Sequence, residues 1–284
     1  MKKLRIMALG ACQLQDPIYN LDARGIARHV WHDTGADQGM YTHSVQESYQ
    51  LMQYCRCDLV IPKDILPLCY FYQGFDPKKL TGTAVDSADV TLVQIESSLE
   101  FTYGPYRINR NEIGRQIYPV AYGHSERARD LCNNWGNALI KANDEVRRKY
   151  AGQLLELLPD NAEYQWLRAA FGAIGSFKES QEGLTARLTV LLKTIRNPVG
   201  LVTPAVRYMP DGRPLYWPPE FIDDLKLSAQ QCGVPFFDAA AIVEARGMNV
   251  AIAEDAMHWR REFLPIVGEY YLEFCHKLFT DGTT

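Results

Sequence analysis

The 284-residue chain has no apolar run of membrane-spanning length, no excess of positive charge and no glycine-rich phosphate loop. Each absence removes a class of function. The opening stretch Met1-Lys2-Lys3-Leu4-Arg5-Ile6-Met7-Ala8-Leu9-Gly10 is interrupted by Arg5 and followed by polar Gln13, Gln15 and Asp16. It is too short for a secretory core and far too short for a bilayer, which takes about 20 apolar residues. The net charge is −4, with 30 Lys and Arg against 34 Asp and Glu. That argues against nucleic acid as the partner, because binding phosphates calls for a basic surface. Neither a Walker loop nor Gly-x-Gly-x-x-Gly is present, so nucleotide hydrolysis and dinucleotide redox chemistry are not expected. Seven cysteines, an odd number without framework spacing, fit a reducing, cytoplasmic setting. Cys55-Arg56-Cys57 is not Cys-x-x-Cys, and His29 with His32 lacks the companions of a zinc site, so no metal is expected.

What is present is ordinary globular material, 47% hydrophobic and 23% charged, enough to bury a core without a disulfide or metal. Five short apolar runs read as buried strands: Leu4–Leu9, Asp58–Ile61, Val90–Ile95, Val199–Thr203 and Pro235–Asp238. Helical stretches between them give β-α-β units around a parallel sheet. Pro218-Pro219 opens a helix with Phe221, Ile222, Leu225 and Ala229 on one face, and Gly233 stops it. A closing helix is expected over Phe263–Leu278, and Asp160 with Glu163 resembles a capping box ahead of Trp166 and Phe171. About a hundred residues separate the third and fourth strands. Their Arg, Lys, Glu and Leu content from Ser125 to Leu158 suggests long helices. One domain spanning 1–284 with an α-helical insertion near 105–180 is expected, and a second domain is the alternative.

Parallel sheets place their sites at the carboxyl ends of the strands. Gly10-Ala11-Cys12-Gln13 follows the first strand directly. A tight turn into a helix exposes a side chain and aims backbone N–H groups at one spot, which suits a nucleophile and an oxyanion hole. A nearby histidine is expected to favour the Cys12 thiolate; a small buried cysteine is the competing role. Asp255-Ala256-Met257-His258 precedes the closing helix, and an Asp three residues before a His can orient its ring. Ser97, in Glu96-Ser97-Ser98 after the third strand, could donate to an oxyanion or serve as a cap. His43 and Ser44, in Tyr41-Thr42-His43-Ser44, could face the same cleft, or Ser44 could cap a helix with Glu47. Arg107, Arg110 and Arg115 form a locally basic stretch that could hold phosphates, or solvated surface arginines.

A Cys after strand one together with Asp-x-x-His before the last helix resembles the GDSL/SGNH hydrolase superfamily. The resemblance implies an α/β fold with a parallel, flavodoxin-like sheet sandwiched by helices. It also implies Cys12 as nucleophile, His258 as general base and Asp255 as its orienting carboxylate. Gly10-Ala11-Cys12 stands where the superfamily has Gly-Asp-Ser, so the serine is replaced and its Asp is lost. Gly-x-Cys-Gln looks like a smaller branch associated with capsular-polysaccharide biosynthesis. That branch implies acyl transfer from coenzyme A, for instance acetyl, to a carbohydrate hydroxyl. Oxyanion contacts would come from Gly10 and Gln13, with Ser97, His43 and Ser44 beside them, and Arg107, Arg110 and Arg115 would hold coenzyme A. An esterase using the same residues with water as acceptor, and a non-catalytic carbohydrate- or nucleotide-binding protein, are the rivals.

Overall fold

The computed structural model describes residues 3–34, 40–70, 85–206 and 219–281. Among them the strands are β1 (Arg5–Leu9), β2 (Arg28–His29), β3 (Val90–Gln94), β4 (Leu99–Tyr103), β5 (Tyr106–Arg107), β6 (Ile174–Lys178), β7 (Val199–Val202) and β8 (Phe236–Phe237). The first helices are α1 (Cys12–Ala23), α2 (Val45–Cys55), α3 (Leu66–Cys69), α4 (Arg110–Gln116), α5 (Tyr118–His124), α6 (Glu126–Ile140) and α7 (Asp144–Leu157). They are followed by α8 (Gln165–Ala173), α9 (Gln181–Thr194), α10 (Pro219–Cys232), α11 (Ala240–Arg246), α12 (Met248–Ala251) and α13 (Leu264–Asp281). The chain divides into two compact units. One comprises Met1–Val60, Tyr72–Ser98 and Ser180–Thr284, and the other Ile61–Phe71 and Leu99–Glu179.

The first unit is an α/β unit built on a parallel five-stranded sheet in the order β2-β1-β3-β7-β8. Counted along its own strands this is 2-1-3-4-5, the doubly wound order whose switch point lies between the first and third strands. All five residues of β3 are buried. Successive strand side chains point to opposite faces, so β3 is covered on both. Helices α1 and α13 pack together, and α13 lies on β3 and β7. Gly200 permits that approach, since a Cβ there would sit 2.4 Å from Phe274 and 2.6 Å from Leu278. Helices α2, α9 and α10 pack in a row.

The second unit carries the antiparallel sheet β5-β4-β6 and helices α3 to α8. Its core includes Trp135 edge-on to Phe171, with ring centroids 4.8 Å apart. Helices α6 and α7 start at Ser125 and Asn143, whose side chains accept from the backbone N–H of Ala128 and Val146. No helix among the described residues is long and apolar enough to cross a membrane.

Two sequence expectations fail for identifiable reasons. Asp58–Ile61 is not a strand. The chain leaves α2 through Cys57 in the left-handed region (φ 62°), and Val60 is 81% exposed. The fifth strand of the sheet is instead Arg28–His29, two residues on its edge with polar side chains and no apolar run to announce them. Nor do Asp160 and Glu163 cap a helix: α8 starts at Gln165 without a side-chain cap, while Asn161 Oδ1 accepts from Tyr164 N–H. The helix expected after Pro218 is α10; Pro218 itself lies outside the described residues.

His29 closes the edge of the sheet with both ring nitrogens buried and unpartnered, and its ring is 4.3 Å from that of Tyr19. Burial, reinforced by His32 and by Arg28 but opposed by Asp22, lowers its pKa to about 3. The unfolded chain keeps the ordinary value near 6.5 and so takes up the proton first, and stability falls as pH drops from about 6.5 toward 3. His29 alone is expected to remove about 2 kcal/mol between pH 7 and pH 5. Urea denaturation should show that loss in the wild type and a clearly smaller one in His29→Phe. Equal losses in both would show that His29 does not govern the acid limb.

Candidate active site

The carboxyl ends of β1 and β3 meet at Gly10. A Cβ there would lie 2.7 Å from the Cβ of Gln94, so only glycine lets the two strands stay in register as β1 turns into α1. The Gly10 carbonyl accepts from Gln15 Nε2 (2.8 Å) and from Thr42 N–H (3.2 Å), which docks the 40–44 segment beside the turn. Cys12 is the first residue of α1. Its N-cap, Ala11, has no side chain that could satisfy the first N–H groups. The N–H groups of Cys12 and Gln13 bear on the Cys12 sulfur instead.

Asp255 and His258 form the pair their spacing suggested. Asp255 Oδ2 lies 2.6 Å from His258 Nδ1, and Oδ1 accepts from the N–H of Met257 (2.9 Å) and His258 (3.0 Å). In the neutral ring this makes Nδ1 the donor and leaves Nε2 as the acceptor. Those hydrogen bonds and the His258 charge hold the Asp255 carboxyl below its ordinary value, although burial alone would raise it. The turn is tight, with Ala256 at φ 58°.

A second His–carboxylate pair stands at the β3 end. His43 Nδ1 lies 2.8 Å from Glu96 Oε2, and the His43 carbonyl accepts from the N–H of Glu96 (2.8 Å) and Ser97 (3.0 Å). Ser44 is buried and caps α2, its Oγ accepting from Glu47 N–H, while Glu47 Oε2 accepts from His43 N–H. Glu96 carries its charge to Cys12. So does Asp16, one helical turn along α1. Asp16 was not singled out in the sequence, although a carboxylate at i+4 from a candidate nucleophile was a usable signal. Burial raises its carboxyl against the pull of His258 and the Tyr41 hydroxyl.

These surroundings correct one expectation. The Cys12 thiol is not poised as a thiolate: burial pushes it well above the ordinary range, and Glu96 and Asp16 push it further against the two backbone N–H groups. The thiol keeps its proton at rest. Gln13 is buried and its side chain is engaged at both ends, donating to Met257 O (2.7 Å) and accepting from Ala205 N–H (2.8 Å). The structure thus gathers Gly10, Cys12, Gln13, His43, Ser44, Ser97, Asp255 and His258 into the first unit. Arg107, Arg110 and Arg115 belong to the second unit. There Arg107 approaches Glu100 (3.9 Å) and lies over the Phe177 ring, and Arg115 pairs with Glu112 (3.0 Å). Among the described residues no group of three or more His, Cys, Asp or Glu could hold a metal ion.

A family model described as the TviD N-terminal domain matches residues 4–274. The chain belongs to the TviD N-terminal domain family. That family is associated with Vi capsular polysaccharide biosynthesis. No curated protein and no solved structure matches the chain. In this TviD N-terminal domain the β1–α1 turn and the Asp255–His258 turn fall well inside the matched span.

Replacing Glu96 by Gln removes a carboxylate that disfavours the Cys12 thiolate, and alkylation of Cys12 by iodoacetamide at pH 8 should speed up about three- to tenfold. Exposed Cys57 supplies the internal reference, read by peptide mapping. An unchanged ratio of Cys12 to Cys57 labelling would show that Glu96 does not set the thiol's state.

Proposed function

We propose that this domain transfers an acyl group to a carbohydrate hydroxyl through an acyl-Cys12 intermediate, on an SGNH-type fold. The observation that carries the proposal is the Asp255–His258 pair on a turn fastened to the residue after Cys12. Support for the fold comes from the sheet order and from the placement of Cys12 after β1 and Asp255–His258 before α13. The family's association with capsular polysaccharide supports a carbohydrate acceptor.

The chemistry follows from the protonation states. Because the resting thiol keeps its proton, a base has to remove that proton as sulfur attacks. His258 Nε2 takes it, and Asp255 stabilises the imidazolium through Nδ1–H. The Cys12 sulfur–carbon bond forms, the oxyanion is held by the N–H groups of Cys12 and Gln13, and the donor's thiolate leaves with the proton from His258. In the second half the acceptor hydroxyl gives its proton to His258 and attacks the acyl carbon. Cys12 departs and is reprotonated. A thioester such as acetyl-coenzyme A is the proposed donor, which suits a cytoplasmic enzyme, and Arg107, Arg110 and Arg115 are proposed to meet its phosphates. The carboxylates already facing Arg107 and Arg115 would have to be displaced or shared.

A second reading, hydrolysis of the same intermediate, is favoured by one observation. The side chains of His258 and Asp255 are 45% and 44% exposed, so water reaches the base unless an acceptor excludes it.

Asp255→Asn should lower kcat about a hundredfold or more with little change in donor affinity, since the carboxylate acts on the imidazolium and not on the bound ground state. Calorimetric titration of coenzyme A into wild type, Cys12→Ser and a triple Arg107, Arg110, Arg115 to Ala variant tests the donor. Equal binding by wild type and Cys12→Ser with weakened binding by the triple variant is expected. Absence of binding to wild type would remove coenzyme A and promote the esterase.

A further inference from the structure

Gln13 carries a set of contacts that a surface-facing helix residue does not need. Within α1 the residue four positions on is Pro17, which has no N–H, so the Gln13 carbonyl loses its helical donor. The indole N–H of Trp259 donates to that carbonyl (2.8 Å), and the Tyr271 hydroxyl lies 3.4 Å from it. The side-chain amide of the same residue donates to Met257 O and accepts from Ala205 N–H. Met257 and Trp259 flank His258. The residue after Cys12 therefore grips the residues on either side of His258, and its amide also ties the grip to the loop beyond β7.

The geometry points to Gln13 as the positioning residue that sets His258 against Cys12, with Pro17 releasing the carbonyl that completes the grip. This rests on the acyl-transfer reading for its catalytic consequence, but the placement itself is independent of any substrate. The turn it holds needs holding. Ala256 sits at φ 58°, a conformation that persists only where the surroundings over-determine it. Additional ties come from the Ala253 N–H to the His258 carbonyl (2.8 Å) and from the Ile252–Trp259 bridge, which close the turn on itself. Neither connects the turn to α1; the bonds to Gln13 do. A glutamine that merely filled the core would satisfy its amide anywhere, whereas every strong bond here runs to the β7 loop or to a neighbour of His258.

Gln13→Met keeps the length and removes both amide bonds. Gln13→Glu keeps the acceptor for Ala205 and removes only the donor to Met257, and it serves if the methionine variant does not fold. Two readouts are taken. The first is the ring resonances of His258 in ¹³C-histidine-labelled protein, assigned with His258→Asn and recorded without substrate. The second is kcat and KM with an acetyl thioester and a carbohydrate acceptor. Expected are displaced or broadened His258 resonances and kcat lower by about a hundredfold, with donor KM changed less than about twofold. Trp259→Phe should produce the same signature, and its combination with Gln13→Glu should cost far less than the product of the two. Unmoved His258 resonances in a folded Gln13 variant would overturn the inference, as would displaced resonances with full kcat. If the resonances move but the wild type transfers no acyl group, the placement stands and the acyl-transfer reading falls.

Discussion

The buried amide of Gln13 joins two loops whose apolar residues, Ala205 and Val206 on one side and Ile252 and Trp259 on the other, share one hydrophobic core. One follows β7 and the other carries His258, and both must reach the amino end of α1 for the site to exist. Burying an amide without partners would cost several kcal/mol, so the fold that satisfies both of its ends is strongly preferred over neighbouring arrangements. The doubly wound order places the ends of β1, β3 and β7 side by side, and the absence of a side chain at Gly10 lets them close. Sheet order decides where the site lies, and the Gln13 bonds decide its orientation.

Electrostatics then decide what the site does at rest. Two carboxylates and burial keep the Cys12 proton in place, while the first N–H groups of α1 offer only partial compensation. A thiol kept protonated is a poor target for chance alkylation or oxidation, and it reacts when a base acts in the same step. The two His–carboxylate pairs differ in setting. His43–Glu96 is largely buried and built into the strand end, whereas Asp255–His258 is half exposed on a turn. The exposed pair is the one open to solvent.

Much of this was legible in the sequence. The strands β1, β3 and β7 are buried on both faces and spell themselves as apolar runs, and Asp255 with His258 combined a useful spacing with a telling position before the last helix. The rest depended on tertiary placement. Asp58–Ile61 reads as a strand but follows a left-handed turn that leaves Val60 in solvent, and Arg28–His29 pairs with β1 despite polar side chains. The influence of Glu96 on Cys12 exists only because β3 ends beside β1, and no local pattern reports that. Pro17, inside α1, leaves the Gln13 carbonyl free for Trp259, a consequence that takes both ends of the chain to see.

Whether Cys12 carries an acyl group is read by peptide mapping after acid quench. The protein is incubated with an acetyl thioester without acceptor, quenched and digested. A single acetyl group on the Cys12 peptide, labile to hydroxylamine and absent in Cys12→Ala, is the predicted result. Turnover with the label on another residue, or undiminished turnover by Cys12→Ala, would rule out an acyl-Cys12 intermediate.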